Sequence, residues 1–399
     1  MTPHPTPHPQ PRRTACGFTL IELMVGLVVG LAIAVAAASV LKVTGASQRS
    51  THATSDASQA GAYVLQLLDR WVRSAGTGLS PAASYAYGCR LLASKSGTQI
   101  LPRPSALPAP FASVNTGSAG LFRLAPVVIG NSQTTPNVSG AGSDVLIVMG
   151  GAAGQAEAPM PFAALSQSSS LQVASTIGLS ASDLLLVADQ QPASTGTADC
   201  LVEQVSSTFS PGSLSTIDLA GSYYAATIGS VALTSVSSLG EVMGLGNVAA
   251  GNPPNFLIFG VGDHNTLYSY DLLQTSSTPL QPLADGVFEL HGLYAVDSDA
   301  DGVADSWVAP TGNYALSAML DGSSAAAAKL RSVKAIRVGL ILRTARADAT
   351  DTPASLTLFG DLGASLTYTR SLSSTERQYR YRTMEITVPL RNNLLLPPG

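Results

Sequence analysis

Two sets of acidic residues in this chain are spaced for chemistry. Glu22 stands at the head of an apolar run that continues without a charged residue from Leu23 to Leu41. Those 19 residues, at about 1.5 Å each in a helix, span roughly 28 Å, close to the hydrocarbon thickness of a bilayer. An ionised carboxylate at that depth is costly and seeks a cation. The second set is Asp297, Asp299, Asp301 and Asp305, with Gly302 between them. Carboxylates at loop positions one, three, five and nine, a glycine at six and the Val303 carbonyl at seven supply the converging oxygens and the sharp turn that a hard cation such as calcium needs. Position twelve is Val308 where a helix-loop-helix sensor would carry a bidentate Glu, and the flanks 287–296 and 306–308 read as strands, so a structural calcium loop carried on a sheet is expected. The alternative is an acidic, solvated turn.

The chain has three cysteines. Cys16 precedes the apolar run, and Cys89 and Cys200 follow it. If the chain beyond the run is exported to an oxidising compartment, Cys89 and Cys200 are expected to form a disulfide; the alternative is two buried thiols. Motifs for catalysis are missing: there is no Gly-x-Ser-x-Gly elbow, no phosphate-binding Gly-x-x-x-x-Gly-Lys and no His-Glu-x-x-His pair. His264 and His291 are isolated in the C-terminal half and read as surface residues. No enzyme activity and no catalytic residue are expected.

The elements that must position these residues follow from periodicity and punctuation. No proline occurs from Phe18 through Ser80, and Ala60, Tyr63, Val64, Leu67, Leu68, Trp71, Val72 and Ala75 recur at three- and four-residue spacing. This predicts one long helix from about Phe18 to Ala75, membrane-grade in its first part and amphipathic in its second, closed by Gly76, Gly78 and Pro81. Beyond it the chain is rich in Ser, Gly, Ala and Thr, and the chain as a whole has only 12% charged residues, which suits short strands and turns. Strands are expected at 144–149, 183–188, 201–205, 256–261, 266–272, 287–296, 333–342, 355–359, 365–369 and 380–388. Stretches 101–142, 167–170 and 240–251 read as loops, with a boundary between two β-rich subdomains near 240–254. The expected class is therefore α+β, a long N-terminal helix packed on a large β-rich head.

Gly17-Phe18-Thr19-Leu20-Ile21-Glu22, preceded by a leader whose only Lys or Arg residues are Arg12 and Arg13, resembles the processing site of type IV prepilins. The resemblance implies cleavage after Gly17 by a prepilin peptidase, N-methylation of Phe18, and pairing of the Glu22 carboxylate with the Phe18 amine of a neighbouring filament subunit. The domain plan it implies is a cleaved leader at 1–17, a stem helix at 18–78 with its transmembrane part at 23–41, and a head at 79–399 in the pilin lollipop outline. An ordinary secretory signal, with Ala34-Val35-Ala36 or Ala36-Ala37-Ala38 as its cleavage site, gives no reason for Glu22.

Further on, Asp285-Gly286-Val287-Phe288-Glu289-Leu290, Tyr294-Ala295-Val296-Asp297 with its acidic loop, Val333-Lys334-Ala335-Ile336-Arg337-Val338-Gly339-Leu340 and Tyr381-Arg382-Thr383-Met384-Glu385-Ile386-Thr387-Val388-Pro389-Leu390-Arg391-Asn392 look like the PilW-type minor pilins. The resemblance covers 1–90 and 285–392 and leaves 91–284 unmatched. It implies a minor pilin that helps to initiate pilus assembly and sits at or near the filament tip. Its implied partners are other minor and major pilins, the prepilin peptidase, an inner-membrane assembly platform and a PilY-type tip adhesin. The implied location is the inner membrane with a periplasmic head before assembly, and the pilus tip at the cell surface after it. Alternatives are a type II secretion pseudopilin and a pilus-associated DNA-uptake or adhesin subunit. Eleven Lys or Arg against five Asp or Glu between Lys329 and Arg391 raise the question of DNA, but the net charge of the whole chain is −4 and these basic residues suit exposed strand positions or ion pairs. Nucleic acid is not expected as a partner.

Overall fold

A proline-free, Ala- and Leu-rich segment that starts with a good cap forms a single helix, α1, from Leu20 to Arg73. The computed structural model describes residues 17, 19–118, 120–136, 142–152, 158–190, 198–210, 215–275, 279–347 and 352–396, and two compact units divide them at Ala53/Thr54. In the first unit, Leu20–Lys42 has a mean hydropathy of 2.6 with none of its side chains buried, as expected of a surface made for lipid.

The second unit, Thr54–Gly399, starts with the amphipathic end of α1. Val64, Leu68, Val72 and Ala75 are buried, spaced by four, four and three residues along one face. The stripe is narrower than the spacing suggested: Tyr63, one residue round the helix from Val64, is 52% exposed. Gly61 lies on the buried face, where any Cβ would collide with Leu342 and would stand 2.6 Å from Met384 Sδ. The helix therefore meets the strands Val333–Arg343 and Tyr381–Pro389 at a residue with no side chain. Its end is tied down by Gly76 N, which donates to Met149 O at 2.8 Å, and by Asn392 Nδ2, which donates to Ala75 O at 2.7 Å.

Among the described residues three sheets of four or more strands follow, beside three two-stranded ribbons. The first runs Thr98–Leu101, Arg90–Lys95, Asp199–Gln204, Asp183–Asp189, Gly240–Asn247, Met160–Pro161. The second runs Gln281–Asp285, Thr266–Asp271, Asn255–Gly262, Ser143–Gly150, Val127–Thr134, and the third Ser306–Val308, Val287–Val296, Val333–Arg343, Tyr381–Pro389. The first sheet is a middle layer. Along Asp183–Asp189, Leu184, Leu186 and Ala188 join the main core with α1, while Leu185 and Val187 face a second core built from Leu171, Ile217, Leu219 and Leu233. The third sheet is likewise covered on both faces: Leu290 and Tyr294 enter the main core, whereas Phe288 and Leu293 pack with Leu358 and Phe359. That explains why Val287–Val296 is buried at every position, Glu289 and His291 included.

Two expectations are corrected. Gly240–Asn247 is not a loop but a strand of the first sheet, buried at every residue. Its glycines fit because they sit where neighbours crowd: a Cβ on Gly240 would lie 2.5 Å from the Phe162 ring, and Gly246 has φ +144 at a break in register with Asp183–Asp189. The stretch 101–142 also contains a strand, Val127–Thr134, starting directly after Pro126, where a missing N–H costs the ladder nothing.

Candidate functional site

The prepilin-like start is closed by a reciprocal cap. Thr19 N and Thr19 Oγ1 donate to Glu22 Oε2 at 3.0 and 2.9 Å, and Glu22 N donates to Thr19 Oγ1 at 3.3 Å. Thr-x-x-Glu is the capping-box spacing, in which each residue's side chain accepts from the other's otherwise unpaired backbone N–H. Thr19 was thus missed as a partner of Glu22, although the spacing alone could have found it. Glu22 is exposed on α1, so its carboxylate remains open to a second partner beyond this cap. Gly17 is exposed with nothing near its Cα that a side chain would meet; Phe18 lies outside the described residues.

The acidic loop links the strands Val287–Val296 and Ser306–Val308, a β-carried loop as its flanks predicted. Asp297, Asp299 and Asp305 each bring a carboxylate oxygen within 4.8 Å of the others. Ala300 at φ +63 and Gly302 at φ +93 turn the chain back on itself, and Gly302 N donates to Asp297 Oδ2 at 2.9 Å. Asp301 does not join the set: its Oδ1 accepts from Val303 N at 2.7 Å. Val303 has an exposed side chain. Asp305 Oδ2 accepts from Ser298 N and Oγ, and Asp297 pairs with the buried Lys334 ammonium at 3.3 Å. One cation against three carboxylates leaves the cluster negative and its oxygens convergent, a donor set that suits a hard cation.

Cys89 and Cys200 form a disulfide, with Cα atoms 5.8 Å apart. The parallel pairing of Arg90–Lys95 with Asp199–Gln204 sets Cys200 opposite Leu91, two residues after Cys89.

His291 corrects a reading. It is not at the surface but 4% exposed, in the middle of Val287–Val296, with Asp144 Oδ1 at 3.6 Å and Glu289 Oε2 at 3.3 Å and Tyr368 stacked on its ring at 3.7 Å. Burial alone would lower its pKa, but the two carboxylates outweigh burial and raise it to about 9. Glu289 also accepts from Arg370 Nε at 2.6 Å, and Arg370 pairs onward with Glu376 at 2.7 Å. Sequence showed none of this because Asp144 comes from a different sheet. The C-terminal basic excess is partly absorbed in the same way: Arg337 pairs with Asp361 and Glu385, and Lys334 with Asp297.

Residues 12–38 match the family model of the prokaryotic N-terminal methylation motif, and residues 258–392 match that of the type IV pilus-assembly protein W. The second match begins within the strand Asn255–Gly262, earlier than the motifs at 285–392 suggested, and takes in the acidic loop, all of the third sheet and the His291 cluster apart from Asp144. No curated protein matches the chain, and no solved structure does. The methylation-motif start with its exposed apolar helix points to membrane anchoring of a pilin, and together with the C-terminal match it supports a type IV pilin-like, PilW-type protein.

Proposed function

We propose that this chain is a minor subunit that helps to initiate type IV pilus assembly and takes a place at or near the filament tip. The observation that carries the reading is the pairing of a methylation-motif start with a PilW-type region on one chain. A leader ending at Gly17 is removed by a prepilin peptidase, Phe18 is methylated, and the head is periplasmic before assembly and at the cell surface after it. The partners are other minor and major pilins, the assembly platform and a PilY-type tip adhesin. No catalytic role is assigned to it. The experiment is deletion of the gene and re-expression of the wild-type chain or Glu22→Gln. Glutamine keeps a capping side chain but removes the charge. Loss of surface pili on deletion, restored by the wild type but not by the Gln variant, is expected. Normal piliation after deletion would end the initiation reading.

A calcium ion with a structural role fits the oxygens of Asp297, Asp299 and Asp305, supported by their mutual distance and the turn at Gly302. Ligand bound only to the folded state at 100 times its Kd stabilises by about 2.7 kcal/mol. The Tm of the full-length chain in detergent should therefore fall by several degrees on chelation and recover with calcium. An unchanged Tm removes the ion.

A further inference from the structure

The segment between Thr98–Leu101 and Val127–Thr134 lies outside both family matches and folds around a pocket of about 210 Å³. Its ends are drawn together by Arg103 N, which donates to Gly120 O at 2.7 Å. Gly120 stands at φ +68 with Arg103 O where a Cβ would be, so glycine is required for the closure. The walls are apolar: Leu107, Phe111 and Phe122 are buried in them and Val114 is partly so. The rim, Pro104 to Ala106 and Ala112, is exposed.

One lining residue does not match this wall. Arg103 is 7% exposed, and among the described residues no carboxylate lies within ion-pair distance of it. Its guanidinium is fixed by Nη2 donating to Tyr270 Oη at 3.1 Å and by a long contact from Nη1 to Gln274 O at 3.4 Å. It sits 5.2 Å from the centre of the Tyr270 ring. Tyr270 Oη passes its own proton on to Thr275 O at 2.9 Å, so Arg103 is held in place by a buried, satisfied partner. Its Nε is fully buried and has no acceptor among the described residues.

A guanidinium cannot shed its charge, presents five N–H donors in a planar fork and pairs best with a carboxylate. Buried charges are normally paired. Thr116, the other polar side chain buried in the wall, spends its hydroxyl on Ser118 O at 2.9 Å. The pocket therefore offers one positive charge and an apolar wall, which matches a monoanion with a small apolar body. We propose that this pocket binds a small monocarboxylate, its carboxylate on Arg103 and its apolar part against Leu107, Phe111 and Phe122. Both a free short-chain acid and the C-terminus of a peptide supply that chemistry.

The test uses the full-length chain in detergent and measures binding by calorimetry. Butanoate should bind saturably, and butanamide, its neutral match in shape, at least about tenfold more weakly. N-acetylalanine binding more tightly than butanoate points to a peptide terminus, and the reverse order to a free acid; either supports the pocket. Arg103→Met should abolish the preference for acid over amide. Should that variant not fold, Ala112→Trp at the exposed rim, which fills the pocket and leaves Arg103 untouched, should abolish butanoate binding. Equal binding of acid and amide, or butanoate binding undiminished by Ala112→Trp, overturns the proposal.

Discussion

Glu203 carries a cost that shows only in three dimensions. Strand alternation places it on the same face as Leu201 and Val205, both of which pack in the second core, and its cross-strand neighbour is Leu185. It is fully buried, with Oε2 accepting from Ala225 N at 3.2 Å and Oε1 without an acceptor or donor partner among the described residues. Burial raises its pKa to about 8, against a smaller opposing effect of the Ala225 N–H. The folded state then holds a proton that the unfolded state releases above about pH 4.5, so stability from this group falls as pH rises from about 4.5 to 8 and stays low above it. Glu203→Gln keeps the shape and cannot ionise. It should stabilise the chain at pH 8.5 by on the order of 2 to 4 kcal/mol and change little at pH 4; a Tm gain of equal size at both pH values would refute the ionised-state penalty. Glu22 was legible in sequence because its meaning lies in six contiguous residues. Glu203 and His291 were not, because what decides their state is the layer or the second sheet they face.

Among the elements, strands with strong β-branched or aromatic runs were legible almost to the residue, as with Val287–Val296 and Val333–Arg343. Gly240–Asn247 was not: with three glycines among its eight residues it carries no clear alternation, and only the crowding around Gly240 and Gly246 explains why small residues sit there. The helix Ser324–Ser332, capped by Ser323 Oγ accepting from Ala326 N, escaped notice because a short alanine run lacks an apolar stripe. Gly61 marks where the helix α1 approaches the third sheet, and it is the position at which element packing can be tested. Alanine would gain about 1 kcal/mol of helix propensity over glycine, offsetting part of its contact with Met384 and the fully buried Leu342. Gly61→Val adds bulk without that gain and should cost about 1 to 3 kcal/mol. Thermal unfolding of the full-length chain checks it: a Val variant as stable as the wild type would mean that helix and sheet are not held at the distance described.

For the molecule as a whole, the disulfide fastens the stretch that lies between the two family matches. Cys89 follows the end of the stem region and Cys200 lies in a strand of the unmatched middle, 111 residues on. Both are buried beside the main core, so the bond fastens the first sheet's parallel pair at the point where the chain must return across about a hundred residues of loops and strands. The chain-entropy argument gives roughly 4 to 5 kcal/mol for a loop of that length, with measured bonds spanning about 2 to 5. In a chain this large, 1 kcal/mol moves Tm by about 2 °C or less, so the paired Cys89→Ala and Cys200→Ala variant should melt on the order of 4 to 10 °C lower. Adding reductant should lower the wild type towards the variant and leave the variant unmoved. Because the PilW-type region at 258–392 has its own sheet and ion pairs, loss of the bond should loosen the first sheet before the third, seen as earlier amide exchange in 183–189 than in 333–343. Simultaneous exchange of the two strands would show instead that the main core, which both share, unfolds as one unit whether or not the bond is present.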